Sequence, residues 1–395
     1  MRHPAFASEL TRDDLIAWYR SVRDRTRSLF DLVKPTAYYE RPIALRNPIV
    51  FYEGHLPAFS VNTLVKLTYG RMGIDERLEI LFARGIDPED ETAVKSPTEV
   101  WPSREEVQAY ANAADALVEE SIVAPDEATF TILEHELMHQ ETLLYILHQL
   151  PYDQKNRPTG NAAPAPGERP ANLRLEESVS IPAGPATLGG EAGTFGWDNE
   201  FPALTVDVPA FRIDAHDVTN GAYLEYMKAT GARAPHFWES VGDRWHYRGL
   251  FERTPLPLDA PVFVTHDEAA AYARWKGARL PTEAEYERAR GGERDGNFDF
   301  RHWDPVPVGS HLPNAAGIYD LVGNGWEWTS TIFGGFPGFR PMPSYKEYSA
   351  DFFDEAHYVL KGASPVTARE LIRPSFRNWF RPAYPYVYAT FRCAH

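Results

Sequence analysis

The residues in this chain best placed to do chemistry together are His135 and His139, in the stretch His135-Glu136-Leu137-Met138-His139-Gln140-Glu141. On an α-helix, side chains four apart leave the same face and come close enough to share one metal ion. Both belong to the apolar series Ile132, His135, His139, Leu143, Ile146, Leu150, so the pair is expected to face the core. A buried imidazole must satisfy its ring nitrogens, through neighbours or through a metal. These residues alone leave both readings open. As spelled, His135-Glu136-x-x-His139 also meets the zinc-hydrolase pattern H-E-x-x-H, with Glu136 as general base. That pattern expects a third ligand downstream, but no Gly-x-x-His follows and Pro151 soon ends the helix. The wider pattern H-x-x-x-H-x-E brings in Glu141, and Glu53-Gly54-His55 offers another imidazole from earlier in the chain.

Four helices are expected to position these groups. Thr11 and Asp14 can cap one running through Leu15, Trp18, Tyr19, Val22 and Leu29. A second covers about 54–72, with His55, Phe59, Val61, Leu64, Val65 and Leu67 facing inward. A third spans about 103–121, where Ser103 and Glu106 have capping-box spacing. The fourth, the histidine helix, opens at Pro125-Asp126 and closes before Pro151. Four such segments suit a four-helix bundle with ligands projecting inward (residues 1–151). Residues 152–174, with Pro158, Pro164, Pro166, Pro170 and several glycines and alanines, read as a linker.

Residues 175–395 read as mixed structure. Leu204–Val208 alternates like a strand that Phe211–Ile213 is expected to continue. Thr219 or Asn220, Thr265 with Glu268, and Thr282 with Glu285 mark helix starts, the last two helices ending at Gly277 and Gly291. Beyond about 295 the chain is rich in Gly, Pro and aromatics with few periodic segments, and is expected to be largely irregular.

Composition narrows the function classes. A 395-residue chain with 43% hydrophobic and 24% charged residues reads as two or three soluble globular domains. A formal net charge of −16 with no basic patch argues against a nucleic-acid partner. No run of 18 apolar residues and no signal-type N-terminus are present, so no membrane partner is expected. The single cysteine, Cys393, fits a reducing cytoplasm and reads as a packing residue. The 10 Trp, 20 Tyr and 22 Phe suit either short irregular segments or a pocket for a cationic ligand. Oligomeric state is not legible.

The motifs taken together resemble a known family. Asn47-Pro-Ile-Val-Phe-Tyr-Glu-Gly-His55 with Phe59 and Asn62, then His135-x-x-x-His139-x-Glu141, are similar to the ligand segments of the nonheme iron sulfoxide synthases of ergothioneine and ovothiol biosynthesis. So are Phe195-Gly-Trp-Asp-Asn-Glu200, Val218-Thr-Asn220, Arg279-Leu-Pro-Thr-Glu-Ala-Glu285, Asn314-Ala-Ala-Gly-Ile-Tyr-Asp320, Gly323-Asn-Gly-Trp-Glu-Trp-Thr329, Val359-Leu-Lys-Gly362 and Arg377-Asn378-Trp379. The resemblance covers nearly the whole chain. It implies a multidomain α and α+β protein: an N-terminal DinB-like four-helix bundle and a C-terminal formylglycine-generating-enzyme-like (C-type-lectin-like) domain that completes the substrate pocket.

It further implies Fe(II) bound by His55, His135 and His139, with O2 as co-substrate and Glu141 orienting a ligand imidazole. Three neutral imidazoles leave half of an octahedral ion for O2 and a thiolate or selenolate. The implied acceptor is hercynine, or histidine in the ovothiol branch, with Asn378 and Trp379 holding it. Of the pair Tyr345 and Tyr348, Tyr345 is the expected proton donor. Met138 stands where the actinobacterial-type enzymes carry a substrate-touching glutamine, and Phe380 where they carry an acid for the amine of γ-glutamylcysteine. These two departures favour the selenoneine synthases within the family, which use a selenosugar donor, over enzymes using cysteine or γ-glutamylcysteine. Arg373, Arg377 and Arg381 are candidates to hold a donor carboxylate or sugar, or to pair with the chain's acids. A zinc hydrolase, and a binding protein with the bundle as scaffold, are the competing classes. Copper-type formylglycine generation needs a cysteine pair that this chain lacks.

Overall fold

The computed structural model describes residues 10–83, 101–158, 178–292 and 295–395. It divides into two compact units, Met1–Gly160 with Pro343–Tyr345, and Asn161–Met342 with Lys346–His395.

The first unit is helical: α1 (Arg12–Phe30), α2 (Ile49–Ser60), α3 (Glu76–Leu81), α4 (Arg104–Ser121) and α5 (Glu127–Gln149). Local chemistry sets the ends. Thr11 and Asp14 form a reciprocal capping box before α1, Ser103 accepts the Glu106 N–H at the start of α4, and Asp126 accepts the Thr129 N–H at 2.8 Å to open α5. α1 packs on α5, and α2 packs on both α4 and α5. A polar layer ties three of these helices together. Arg23 of α1 reaches Asp115 of α4 and Glu136 of α5, each at 2.8 Å, while Thr26 donates to Glu136 and Tyr19 to Asp115.

Two expectations for this unit need correction. α2 begins at Ile49, five residues before the expected start, and after Ser60 continues as a wide π-type turn over Val61–Thr68. The widened turn changes which side chains face inward. Leu67, expected in the core, is 64% exposed. The first residues assigned to the linker also pack on this unit: Lys155 is buried and bridges to Val33, and the Asn156 N–H donates to the Leu32 carbonyl. Residues 159–174 of that expected linker lie outside the described residues.

The second unit mixes helices and small sheets. Its strands are β1 (Ser178–Ile181), β2 (Gly184–Leu188), β3 (Leu204–Val208), β4 (Phe211–Asp214), β5 (Trp238–Val241), β6 (Arg244–Arg248), β7 (Arg253–Pro255), β8 (Gly325–Ile332), β9 (Tyr358–Ala363), β10 (Asn378–Phe380) and β11 (Ala389–Thr390). Its helices are α6 (Asn220–Thr230), α7 (His266–Trp275) and α8 (Glu283–Arg290), capped by Thr219, Thr265 and Thr282. Together the units make an α+β multidomain chain. β4 does not extend β3: β3 pairs with β2, while β4 pairs with β1. The region after 295 also holds more order than expected, a sheet in the order β10-β9-β8-β11. β8 is buried on both faces along Gly325–Thr329, so the alternation that betrays a half-buried strand is missing. At its centre Arg392, fully buried, makes a two-pronged contact with Glu327 at 2.6 and 2.8 Å and reaches Asp217. Cys393 is buried beside it, a packing residue whose thiol burial pushes up.

Candidate metal centre

The first unit brings His55 of α2 together with His135 and His139 of α5, one nitrogen from each ring lying within 4.8 Å of the others. Each ring is held differently. His55 stacks on Phe51, with centroids 5.0 Å apart, and its Nδ1 pairs with the Phe82 carbonyl at 2.9 Å. His139 uses its Nδ1 on the His135 carbonyl one turn back, at 3.0 Å. In both, a carbonyl partner makes Nδ1 the protonated nitrogen and leaves Nε2 as a lone-pair donor. His135 lies flat against Phe59, with centroids 3.5 Å apart and planes 8° from parallel, and neither of its ring nitrogens has a hydrogen-bond partner.

Burial holds all three rings neutral. It takes His55 down to about 4 and His139 down to about 3, and pushes His135 well below the ordinary imidazole value, with neighbouring imidazoles adding to the effect at His135 and His139. Neutral imidazole is the form that binds a metal. An orphaned, buried, neutral ring beside two others with Nε2 free fits a metal ion, and an all-imidazole donor set suits a divalent transition metal.

Two expected roles change. Glu136, the base of the hydrolase reading, points at α1, where its Oε1 accepts from both Arg23 and Thr26. Glu141 accepts the Tyr145 hydroxyl, and backbone carbonyls orient His55 and His139 in its place. Met138, half-buried, sits in the turn between the two α5 histidines.

The sequence reading missed Phe82 and Trp101. Phe82 is buried, stacks with Trp101 and supplies the carbonyl for His55. One signal pointed to it. Gly54 sits inside a helix, where glycine costs about 1 kcal/mol against alanine, so a packing reason is expected. A Cβ there would lie 2.4 Å from the Phe82 ring.

Tyr345 belongs to this unit too. Its ring meets Phe59 and His135 edge-on, with centroids 5.2 and 6.2 Å away. The adjacent Ser344 donates its N–H to the Glu127 carboxylate at 3.0 Å and pairs its hydroxyl with Thr131 at 2.9 Å. Nothing in the sequence pattern announced that docking.

The second unit gathers the remaining candidates around an aromatic group. Trp379 of β10 stacks on Phe333 at 4.2 Å and meets Tyr348 edge-on, and Tyr348 stacks on Trp197 at 4.0 Å. Asn378 accepts the Trp379 N–H, and Phe380 stacks on Tyr384 with planes 11° apart. Arg377, expected to contact substrate, is buried against Glu283 through two contacts at 2.9 and 3.1 Å and also donates to the Asn199 and Gly334 carbonyls. Arg373 is likewise committed to Glu200. Of the three arginines near Asn378-Trp379, Arg381 alone is exposed.

Residues 162–395 match the family described as sulfatase-modifying factor enzyme 1-like domain. The chain is 35% identical to the hercynine oxygenase of Mycolicibacterium smegmatis, over 67% of this chain and 70% of that protein. It is 36% identical to the hercynine oxygenase of Mycolicibacterium thermoresistibile, over 67% of each. Ergothioneine biosynthesis protein 1 of Neurospora crassa is 28% identical over 88% of this chain and 54% of that longer protein.

Proposed function

The chain belongs to the hercynine oxygenase family, with a sulfatase-modifying factor enzyme 1-like domain over residues 162–395, and from that membership we propose its reaction and the residues that perform it. It is an oxygen-dependent oxidoreductase of the ergothioneine-pathway type. We assign it the Fe(II)-dependent coupling of hercynine with a chalcogen donor. The C2–H bond of the imidazole and the donor's S–H or Se–H bond break, and a carbon–chalcogen bond forms. O2 takes up the four electrons, one oxygen leaving as water and the other remaining on the chalcogen.

The observation that carries this reading is His135, buried with both ring nitrogens unpartnered, in a cluster with two further neutral imidazoles. His55, His135 and His139 would hold the iron, in a helical unit we assign to the DinB-like class. Bound there, Fe(II) supplies the electron transfer to O2 that no side chain can. The residues do the rest. Phe51 and Phe59 fix the planes of two ligand rings and keep water from them. The Phe82 and His135 carbonyls fix the tautomers of the His55 and His139 rings. To Tyr345, whose ring lies edge-on to His135, we assign the role of giving a proton from its hydroxyl. In the second unit Asn378 offers an amide, and Trp379 and Tyr348 offer aromatic surface suited to a trimethylammonium group.

For the donor we propose a selenosugar. Phe380 stacked on Tyr384 gives no carboxylate for the amine of an amino-acid donor, and Met138 gives no carboxamide. Arg373 and Arg377 are already paired with glutamates and so are not free to hold a donor carboxylate.

The test presents the purified protein, Fe(II) and hercynine with a selenosugar, cysteine or γ-glutamylcysteine, and identifies products by mass. Turnover with the selenosugar is expected. A preference for cysteine or γ-glutamylcysteine overturns the donor, and hydrolysis supported by zinc alone overturns the class. His135→Ala should lose both metal binding and turnover.

A further inference from the structure

We propose that Glu127 and Thr131 are positioning residues that seat Ser344 on α5 and so hold the Tyr345 ring at His135. The inference rests on the oxygenase reading above and deepens it. Glu127, Thr131, His135 and His139 are spaced by four, a single ridge of the helix. Its second half carries the imidazoles. Its first half docks the segment bearing Tyr345.

The hydrogen bonds have a defined direction. The Thr131 hydroxyl donates to the Glu127 carbonyl at 2.8 Å, which uses its only hydrogen, so at the Thr131–Ser344 pair Ser344 is the donor. Ser344 therefore gives its hydroxyl to Thr131 and its N–H to the Glu127 carboxylate at 3.0 Å. Glu127 lies in the first turn of α5, where the helix end favours a carboxylate. Thr131 is fully buried and Ser344 is 9% exposed, so water competes poorly for the hydroxyl pair, while the Glu127 carboxylate reaches Ser344 from the exposed side of the helix.

A valine–alanine pair of the same shape would serve cohesion about as well as this buried hydroxyl pair. The hydroxyls and the amide instead admit one register of Ser344 on the ridge. Tyr345, next in the chain, then meets His135 and Phe59 edge-on from a fixed backbone. Proton delivery needs that fixity, since a misplacement of about 1 Å can cost a hundredfold in rate.

The experiment uses the full chain with Thr131→Val, Glu127→Ala and Ser344→Ala, each alone and with Tyr345→Phe, and Thr131→Ser as the variant that keeps the hydroxyl. Amide hydrogen exchange of the segment holding Ser344 and Tyr345 is read first, without metal or substrate. Thr131→Val and Glu127→Ala should speed it about tenfold, as expected for a lost hydrogen bond, while Thr131→Ser leaves it within twofold. Co(II) affinity should stay within twofold in all. In turnover, Thr131→Val should lower kcat about tenfold at unchanged KM, and should cost nothing further once Tyr345 is Phe. Unchanged exchange overturns the proposal, as does a kcat loss of equal size in both backgrounds. A wild-type protein that consumes no O2 with hercynine and any of the three chalcogen donors overturns the oxygenase reading, and the exchange measurement then decides the seating of Ser344 by itself.

Discussion

The phenyl ring of Phe59 covers one face of the His135 imidazole, with centroids 3.5 Å apart and planes within 8° of parallel. Stacking fixes the plane of the ring and leaves both nitrogens, which lie at its edge, unpartnered. Phe59 thus does for His135 what backbone carbonyls do for His55 and His139, and it does so without occupying a donor atom. Replacing Phe59 by Leu keeps much of the volume and removes the flat surface. Fe(II) affinity should fall about tenfold, the usual scale for groups that orient a ligand, measured by competition with a chelator. Unaltered affinity would show that α5 alone fixes His135.

Glu136 separates the oxygenase from a hydrolase by a single substitution. Its carboxylate joins Arg23 and Thr26 on the α1 side of α5. Glu136→Gln should leave metal affinity and hercynine turnover within about twofold while lowering stability. Arg23 keeps its contact with Asp115 at 2.8 Å, so the loss should be about 2 kcal/mol, below the 3–5 typical of a stranded buried charge. Denaturant titration and O2 uptake check the two halves. Abolished activity in a folded variant would restore Glu136 as a base.

His266 predicts how the second unit responds to acid. Its ring stacks on Tyr358 at 3.7 Å and meets Trp328 edge-on, and burial holds it down to about 4, against 6.5 for an ordinary imidazole. The unfolded chain takes up this proton first, so stability contributed by the neutral ring is whole above about 6.5 and is lost as pH falls towards 4. The loss between neutral pH and 4.5 should be about 2–3 kcal/mol from this group. His266→Phe should flatten that part of the stability profile in chemical denaturation at a series of pH values. A parallel decline in the two proteins would place the acid sensitivity elsewhere.

What was legible in the sequence follows from the range of the interactions involved. The α5 pair was legible because four-residue spacing and an apolar stripe are local facts, and the Thr-x-x-Glu caps of α7 and α8 were legible for the same reason. His55 came from the family resemblance, since no local rule links it to residues eighty positions away. The groups that orient the rings were hidden. Backbone carbonyls of Phe82 and His135 have no side-chain signature, and this is why Glu141 was assigned a role they perform. Arginines near Asn378 could be counted, but only the fold shows Arg377 and Arg373 paired with Glu283 and Glu200. The sheet holding Trp326 and Trp328 escaped because a strand buried on both faces does not alternate.

Gly54 is the point where a local anomaly and the proposed metal site meet. A glycine inside α2 weakens the helix, yet here it lets Phe82 lie directly against the backbone beside His55. Phe82 cannot easily yield, because it is buried and packs on both Phe51 and Trp101. Gly54→Ala would gain helix propensity of about 1 kcal/mol and set a methyl 2.4 Å from the ring. Overpacking of this kind costs about 1–3 kcal/mol, so net stability should change little or fall slightly. The larger effect should be on the ligand. Displacing Phe82 moves the carbonyl that holds His55 Nδ1, frees the other tautomer, and should lower Fe(II) affinity about tenfold or more. Chelator competition read together with the melting temperature separates the two effects. An alanine variant that binds Fe(II) as tightly as the wild type would mean that Phe51, and not the Phe82 carbonyl, sets the His55 ring.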